Sequence, residues 1–504
     1  MTTRISKAAN GAFASIAVLA TAALLPSLNK SMWRDEGASL YSAHLSWTGL
    51  WQQSRVVDRV LLFYYSLLHV WLHVFHGIEG ARSLSLVAFA LTVYVVARLG
   101  YRLGGSWCGV AAGVLTAINP LMIRAALEAR PYALATLTAT LSVAALFRWV
   151  RGGERRWMWV FCCAYITTLL LQMFMVLAPI SVIAVIFILN PQVLRLRWRG
   201  VIAPIGLAIV ATFSFLFLVV SQRSQIAWIP PIGAKQLIKD LVGPASGIGS
   251  VGGQYTYVVV IVVLVLATTI WCVRGWRRGS FRPDRRRVDS FIVCLAWAVL
   301  PTLALIIISS VKPIYVDRYV TASVPGMALS IGMLIVGAKG DTDVHPTSRT
   351  RSRPRTVVCV SAVGIAVCTL IFNSIILSRT TTENIEGVTH YVALRAGSDS
   401  EVALPDHSLT TGVNYYLQSF HVSVSEWPQL LKQPFVEGFD LSVNRRTIST
   451  APRNVWLVDD GSVLGTNRFV ATLGRDGYVQ RKVEFFSGVI PIRVVHFVRT
   501  GAES

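Results

Sequence analysis

Charged side chains are scarce in this chain, and those able to do chemistry fall at a few points. The sharpest is Met32-Trp33-Arg34-Asp35-Glu36-Gly37, where two adjacent carboxylates stand beside an arginine and a tryptophan. Others are Lys30, Asp58 with Arg59, Arg82, Arg124, Glu128 and Arg130 with Tyr132, and Lys312, Asp317 and Arg318 with Tyr319. A carboxylate held beside a hydroxyl can take its proton. A guanidinium grips a phosphate through paired, charge-assisted hydrogen bonds. Plainer readings compete at each point. Asp35 and Glu36 suit the N-terminus of a helix, where acidic residues are stabilising. Asp58 pairs with Arg59 on a surface, Glu128 and Arg130 form a structural ion pair, and Lys312 and Arg318 snorkel to lipid headgroups.

The elements that must position these residues are apolar. The chain has 504 residues, 54% hydrophobic and 14% charged, against about 25% charged in soluble domains. One large membrane domain fits that composition. Residues 8–29 are uncharged and follow Arg4 and Lys7, as an uncleaved first helix or a signal peptide would. Further apolar spans fall at about 83–97, 107–123, 131–147, 157–172, 173–190, 201–221, 255–273, 290–311, 319–338 and 356–378, which makes eleven crossings of helical length. Between them, 61–75 is aromatic-rich and amphipathic, as an interfacial helix would be. With the N-terminus cytoplasmic, the inner segments hold 23 of the 35 Lys and Arg of residues 1–378. That orientation satisfies every inner loop. It puts Asp35 and the other candidate residues on the outer face of the plasma membrane, and residues 381–504 outside as well.

The tail differs from the rest. Residues 379–504 carry 12 Lys or Arg and 13 Asp or Glu and no cysteine. Short strands are expected at 401–404, 422–424, 454–458 and 494–498, and short helices at 411–419 and 426–432. The fold class is therefore an α-helical polytopic membrane protein, 1–380, with a first outer loop over 31–80 and a small extracytoplasmic α/β domain over 381–504. The basic excess sits in the membrane part, so nucleic acid is excluded as a partner. The seven cysteines read as small core hydrophobes. His69, His73 and His76 share one helical face, which reads as the wet side of an interfacial helix rather than a metal site. Trp228-Ile229-Pro230-Pro231 lies in an outer loop, 222–254, suited to a lid or a connector. The sequence assigns no cofactor and leaves room for a divalent cation.

Four stretches, in order and spacing, resemble the GT-C superfamily of membrane glycosyltransferases that use polyprenyl-phosphate sugars. They are Trp33-Arg34-Asp35-Glu36 after the first helix, Glu79-Gly80-Ala81-Arg82-Ser83-Leu84-Ser85, Glu128-Ala129-Arg130-Pro131-Tyr132-Ala133-Leu134, and Pro313-Ile314-Tyr315-Val316-Asp317-Arg318-Tyr319 with Pro325 beyond. The resemblance covers about residues 10–380. Many relatives carry a Pro-Pro pair before the interfacial helix, where this chain reads Asp58-Arg59-Val60-Leu61, and that leaves donor and acceptor assignment open. The resemblance implies Asp35 as the base that deprotonates an acceptor hydroxyl, with Glu36 as the alternative. Arg34, Asp58, Arg82, Glu128, Arg130, Tyr132, Lys312, Arg318 and Tyr319 would then bind substrate.

The implied reaction is inverting sugar transfer from a polyprenyl-phosphate donor to a cell-envelope glycan or glycolipid, amid membrane lipids. Heavy arginine use and the long tail resemble actinobacterial envelope enzymes of cell-wall and lipoglycan synthesis, of the dolichyl-phosphate-mannose type. Mannose is thus the first expectation for the sugar and arabinofuranose the second. A transporter or flippase of lipid-linked sugars would want ionisable residues at mid-membrane, and the spans have almost none. A purely structural or glycan-sensing protein gives no reason for the clustered outer carboxylates and arginines.

Overall fold

The computed structural model describes residues 6–222 and 285–336. Within the tail it describes 381–396, 400–404, 409–416 except 410 and 414, 453–459, and 470–500 except 472 and 489. The expected spans at 255–273 and 356–378, the 222–254 loop beyond Gln222, and the expected tail elements at 422–424 and 426–432 lie outside the described residues. The chain divides into two compact units.

The first unit joins residues 1–28, 58–75 and 79–377, and it is helical. Helix α1 (Lys7–Leu24) starts where the Ser6 hydroxyl accepts the Ala9 amide. After α2 (Arg34–His44) and α3 (Trp47–Val56), which belong to the other unit, come α4 (Leu62–Leu72), α5 (Gly77–Gly104), α6 (Ser106–Ala117), α7 (Pro120–Leu127), α8 (Tyr132–Gly152), α9 (Arg155–Leu171), α10 (Leu177–Leu189), α11 (Pro191–Arg197) and α12 (Ile202–Val220). Beyond the undescribed stretch lie α13 (Arg285–Val311) and α14 (Val324–Val336), separated by a 3-10 segment at Asp317–Ser323. Helix α8 packs on α9, α6 on α1 and α14, and α13 on α10 and α14. Small residues allow these approaches. A Cβ on Gly109 of α6 would come within 2.7 Å of the Ala97 carbonyl oxygen and 2.8 Å of the Phe13 ring.

Six described helices are long and apolar enough to cross a membrane, or seven if α6 and α7 form one broken span. The break has a local cause. Asn119 is buried, and its Oδ1 accepts the Leu121 and Met122 amides, so a new helix begins at Pro120 at 58° to the old one. The stretch expected to hold two crossings, 157–190, holds α9 and the helical run Met173–Leu189, parted at an extended Gln172. Eleven crossings stay an expectation from charge parity.

The second unit gathers 29–57, 76–78 and 378–504. The expected first outer loop, 31–80, is therefore split. Its first half groups with the tail, through hydrogen bonds of residues 31–34 to Glu383, Glu386 and Tyr416, while 58–75 groups with the membrane helices. Helix α15 (Ile385–Ala393) is capped by Asn384, which accepts the Gly387 amide. The sheet runs in the order β1 (Ser400–Ala403), β2 (Asn454–Asp459), β4 (Ile492–Arg499), β3 (Tyr478–Phe486). Strands β1 and β2 are parallel, and the other pairs are antiparallel. Its core holds Val455, Leu457, Leu473, Tyr478, Val495 and Phe497. Three strands lie where the alternating patterns predict them. β3 does not, because Arg481, Lys482 and Glu484 interrupt its apolar positions and a bulge between Gln480 and Lys482 breaks the period of two.

Candidate active site

In the second unit, Asp35 is the second residue of α2 and is half-buried. The helix begins after an extended Trp33, φ −112° and ψ 169°. Tryptophan has no acceptor with which to cap a helix, so the open amides of the first turn need partners from elsewhere. Two carboxylates serve. Glu36, fully buried, reaches back to the Trp33 amide at 3.4 Å. Glu383, also fully buried, accepts the Arg34 amide on Oε2 at 2.8 Å and Arg34 Nε on Oε1 at 2.5 Å. Around them, the Met32 amide donates to the Tyr416 hydroxyl at 2.7 Å, and the Glu386 amide donates to the Ser31 hydroxyl at 3.1 Å. Gly37 admits residues 411–412 against α2, since a Cβ there would lie 2.8 Å from Thr411 Oγ1 and 3.0 Å from the Gly412 nitrogen. Burial pushes the Glu383 carboxyl above its usual range. The Arg34 charge and its two hydrogen bonds oppose that push, and the charge of Asp35 adds to it.

In the first unit, a second set of charges collects around α7 and the Asp317–Ser323 segment. Arg124 is bonded to Glu128 Oε1 at 2.8 Å, one helical turn on, and lies 3.5 Å from Asp317 Oδ2. Asp317 Oδ1 accepts the Arg318 amide at 2.7 Å. The guanidinium carbons of Arg318 and Arg130 lie 5.6 and 6.0 Å from the centre of the Tyr132 ring, within cation–π range. Tyr319 faces Tyr132 at 6.3 Å and stacks on Phe174 at 5.0 Å. The scaffold beneath is built from hydroxyls and an indole. Ser85 Oγ donates to the carbonyls of Glu128 and Arg130, Ser309 Oγ accepts the Ile314 and Tyr315 amides, and Trp297 Nε1 donates to the Ala322 carbonyl at 2.7 Å. Among the described residues, three guanidinium groups gather here with two carboxylates, a set that suits an anionic group.

The structure thus brings together Glu128, Arg130, Tyr132, Arg318 and Tyr319 of the residues singled out from sequence. Arg82 is fully buried and donates to the Leu28 carbonyl at the end of the first span, 2.6 Å away. Asp58 stands in the left-handed region, φ 55°, and accepts the Tyr65 hydroxyl at 2.9 Å. The Arg59 amide donates to Gln222 Oε1, and its side chain donates to the Leu218 carbonyl. Lys312 is exposed, just past the end of α13. Sequence reasoning counted Arg124 and Asp317 among the outer charges but gave neither a specific role, and it gave none to Phe174 or Glu383. The i, i+4 spacing of Arg124 and Glu128 was a usable signal. For Glu383, 349 residues from its partner, no local pattern exists. Among the described residues, no group of three His, Cys, Asp or Glu is arranged to hold a metal ion.

No protein-family model and no curated protein matches this sequence. Solved structures do match in shape. ArnT from Cupriavidus metallidurans in the apo state aligns at TM-score 0.57 and 13% identity, over 96% of this chain and 97% of that one. The same protein bound to undecaprenyl phosphate aligns at 0.54 and 13%, with the same coverage. Arabinosyltransferase EmbB from Mycobacterium smegmatis aligns at 0.43 and 14%, over 79% of this chain and 44% of that one.

Proposed function

We propose, for a chain with the fold of the GT-C membrane glycosyltransferases, that it moves a sugar from a polyprenyl-phosphate donor to a glycan or glycolipid of the cell envelope. The observation that carries this reading is the group of three arginines and two carboxylates around Tyr132, in a fold shared with a protein bound to undecaprenyl phosphate. In the proposal, Arg130 and Arg318 hold the donor phosphate. Arg124 fixes Glu128 and Asp317 so that neither repels it. Tyr319, half-buried, supplies a flat, half-polar surface of the kind that suits a lipid headgroup and sugar, with Tyr132 buried behind it. Lys312 adds positive charge at the rim, and Arg82 holds the end of the first span.

Asp35 is the base. It takes the proton of the acceptor hydroxyl, and the oxygen attacks the anomeric carbon opposite the phosphate. The carbon–oxygen bond to phosphate breaks, and lipid phosphate leaves with the electron pair while the arginines balance its charge. The anomeric centre inverts. Glu36 is the alternative base, but its buried carboxylate caps Trp33, which favours Asp35. Asp58 orients the acceptor from its strained backbone position. The sugar is mannose in this reading, on the outer face of the plasma membrane.

The test uses purified full-length protein in lipid nanodiscs with labelled polyprenyl-phosphate mannose and polyprenyl-phosphate arabinofuranose, and an envelope-lipid extract as acceptor. Asp35→Asn is expected to lose transfer by about 10²–10⁴-fold, the usual worth of a general base, while still binding donor. Full activity of that variant removes Asp35 from the mechanism. Consumption of the arabinofuranose donor alone replaces mannose as the sugar.

A further inference from the structure

We infer that Glu383, from the tail segment that leads into α15, is the positioning residue for Asp35. The inference rests on the reading of Asp35 as the base. Helix α2 carries Asp35 in its first turn, and its own sequence supplies no side chain at Trp33 able to cap it. Glu383 fills that place from 349 residues away. One carboxylate oxygen takes the Arg34 amide, the backbone donor immediately before Asp35, and the other takes Arg34 Nε. A single group thereby fixes both the backbone and the side chain of the residue preceding the proposed base. The carboxylate side of the clamp is closed to water, since Glu383 is 0% exposed, while the Arg34 side chain is half-buried. It is backed on both sides, by the Ile490 amide on the Thr382 carbonyl and by the Glu386 amide on Ser31 Oγ.

Geometry of this kind bears on rate. A base displaced by about 1 Å can lose roughly 10²-fold in turnover, and residues that lock a reacting group act through it. The tail unit is then part of the catalytic apparatus, as the frame that sets the pitch and position of the first turn of α2. Its effect falls on turnover, because Glu383 engages the Arg34 guanidinium and the proposed function gives the donor phosphate to Arg130 and Arg318.

The experiment uses the full chain in nanodiscs, with Glu383→Gln, Glu383→Asp, Glu383→Ala and Asp35→Asn. It reads kcat and donor KM, and amide hydrogen exchange of the peptide around Trp33–Ser39, with β2 and β4 as controls. Glu383→Gln keeps the shape but has a single acceptor oxygen, so it cannot take both the Arg34 amide and Arg34 Nε. It is expected to lower kcat about tenfold or more with donor KM within about twofold. Exchange at Arg34–Glu36 should rise about tenfold with the strands unchanged, and Glu383→Asp should recover part of the rate. Glu383→Ala should go further in the same direction. Wild-type turnover of Glu383→Gln in a preparation where Asp35→Asn is inactive overturns the positioning role and spares Asp35. Full activity of Asp35→Asn overturns the base assignment instead. Unchanged exchange in both Glu383→Gln and Glu383→Ala overturns the clamp itself, whichever sugar is transferred.

Discussion

The two groups of charged residues are held in opposite ways. Around Tyr132, charge holds charge: Arg124 bridges Glu128, just past the end of its own helix, and Asp317 from the segment before α14. Around Asp35, backbone amides do most of the holding, with the Arg34–Glu383 ion pair alongside them. The Met32 and Arg34 amides go to Tyr416 and Glu383, and in return Ser31 takes the Glu386 amide. The first arrangement places cations. The second sets the direction of a helix and leaves one carboxylate half-buried at its start. An ion cluster is tuned to hold an anion in a low-dielectric place. A capped helix end is suited to presenting one group at a fixed position. The two also differ in what breaks them, and that makes the comparison testable.

The largest effect is expected at Arg124. Its replacement by leucine leaves Glu128, 3% exposed, and Asp317, 20% exposed, without the cation that separates them. Breaking a buried ion pair from one side costs about 3–5 kcal/mol, and thermal unfolding in detergent should show a loss of that order. Arg124→Lys should recover only part, since one ammonium cannot reproduce the guanidinium's reach to two carboxylates. If Arg124→Leu lost under about 1 kcal/mol, as an exposed pair would, the cluster would be a surface feature and the contrast between the two groups would fail.

A smaller loss is expected at Gly37. A methyl there meets Thr411 Oγ1 at 2.8 Å and the Gly412 backbone nitrogen at 3.0 Å. Thr411 can turn aside, but a backbone nitrogen cannot, so Gly37→Ala should force α2 away from 411–412. Overpacking of this kind costs about 1–3 kcal/mol. The loss should appear in the exchange rates of α15 and β2, with those of α6 and α8 unchanged. Slower exchange across α15 would mean that the glycine serves conformational freedom rather than close approach.

These two sites also mark how far the sequence could be read. The Arg124 group lies in stretches whose order of residues is itself informative: Glu128-Ala129-Arg130-Pro131-Tyr132 opens α8, and Asp317-Arg318-Tyr319 opens the 3-10 segment. Apolar length gave the helices, since every described span expected from hydropathy is helical. The clamp on Asp35 was not legible, because it joins elements at the two ends of the chain through backbone donors, which any residue type possesses. Strand β3 was missed for a related reason. Its exposed face carries charges, and only the pairing with β4 defines it. Asp58 shows the limit for single residues: neither its left-handed backbone nor its bond from the Tyr65 hydroxyl follows from the neighbouring residue types.

The smallest effect concerns pH and separates the two ways of holding more finely. Burial pushes the Glu383 carboxyl up, against the pull of Arg34 and with a minor push from Asp35. A carboxyl whose folded pKa exceeds its unfolded one binds more protons in the folded state between the two values. Its contribution to stability is therefore complete below the ordinary glutamate range and is lost as pH rises through the raised value. An ion pair in which attraction outweighed burial would do the reverse and lose stability on acidification. The measurement is unfolding of the tail unit as a function of pH from the ordinary glutamate value upward, for the wild type and Glu383→Gln, which cannot titrate. The wild type should lose stability relative to Glu383→Gln as pH rises through that window. If it gains instead, Glu383 holds α2 by its charge, as Arg124 holds its carboxylates, and the two regions of the molecule work by one rule rather than two.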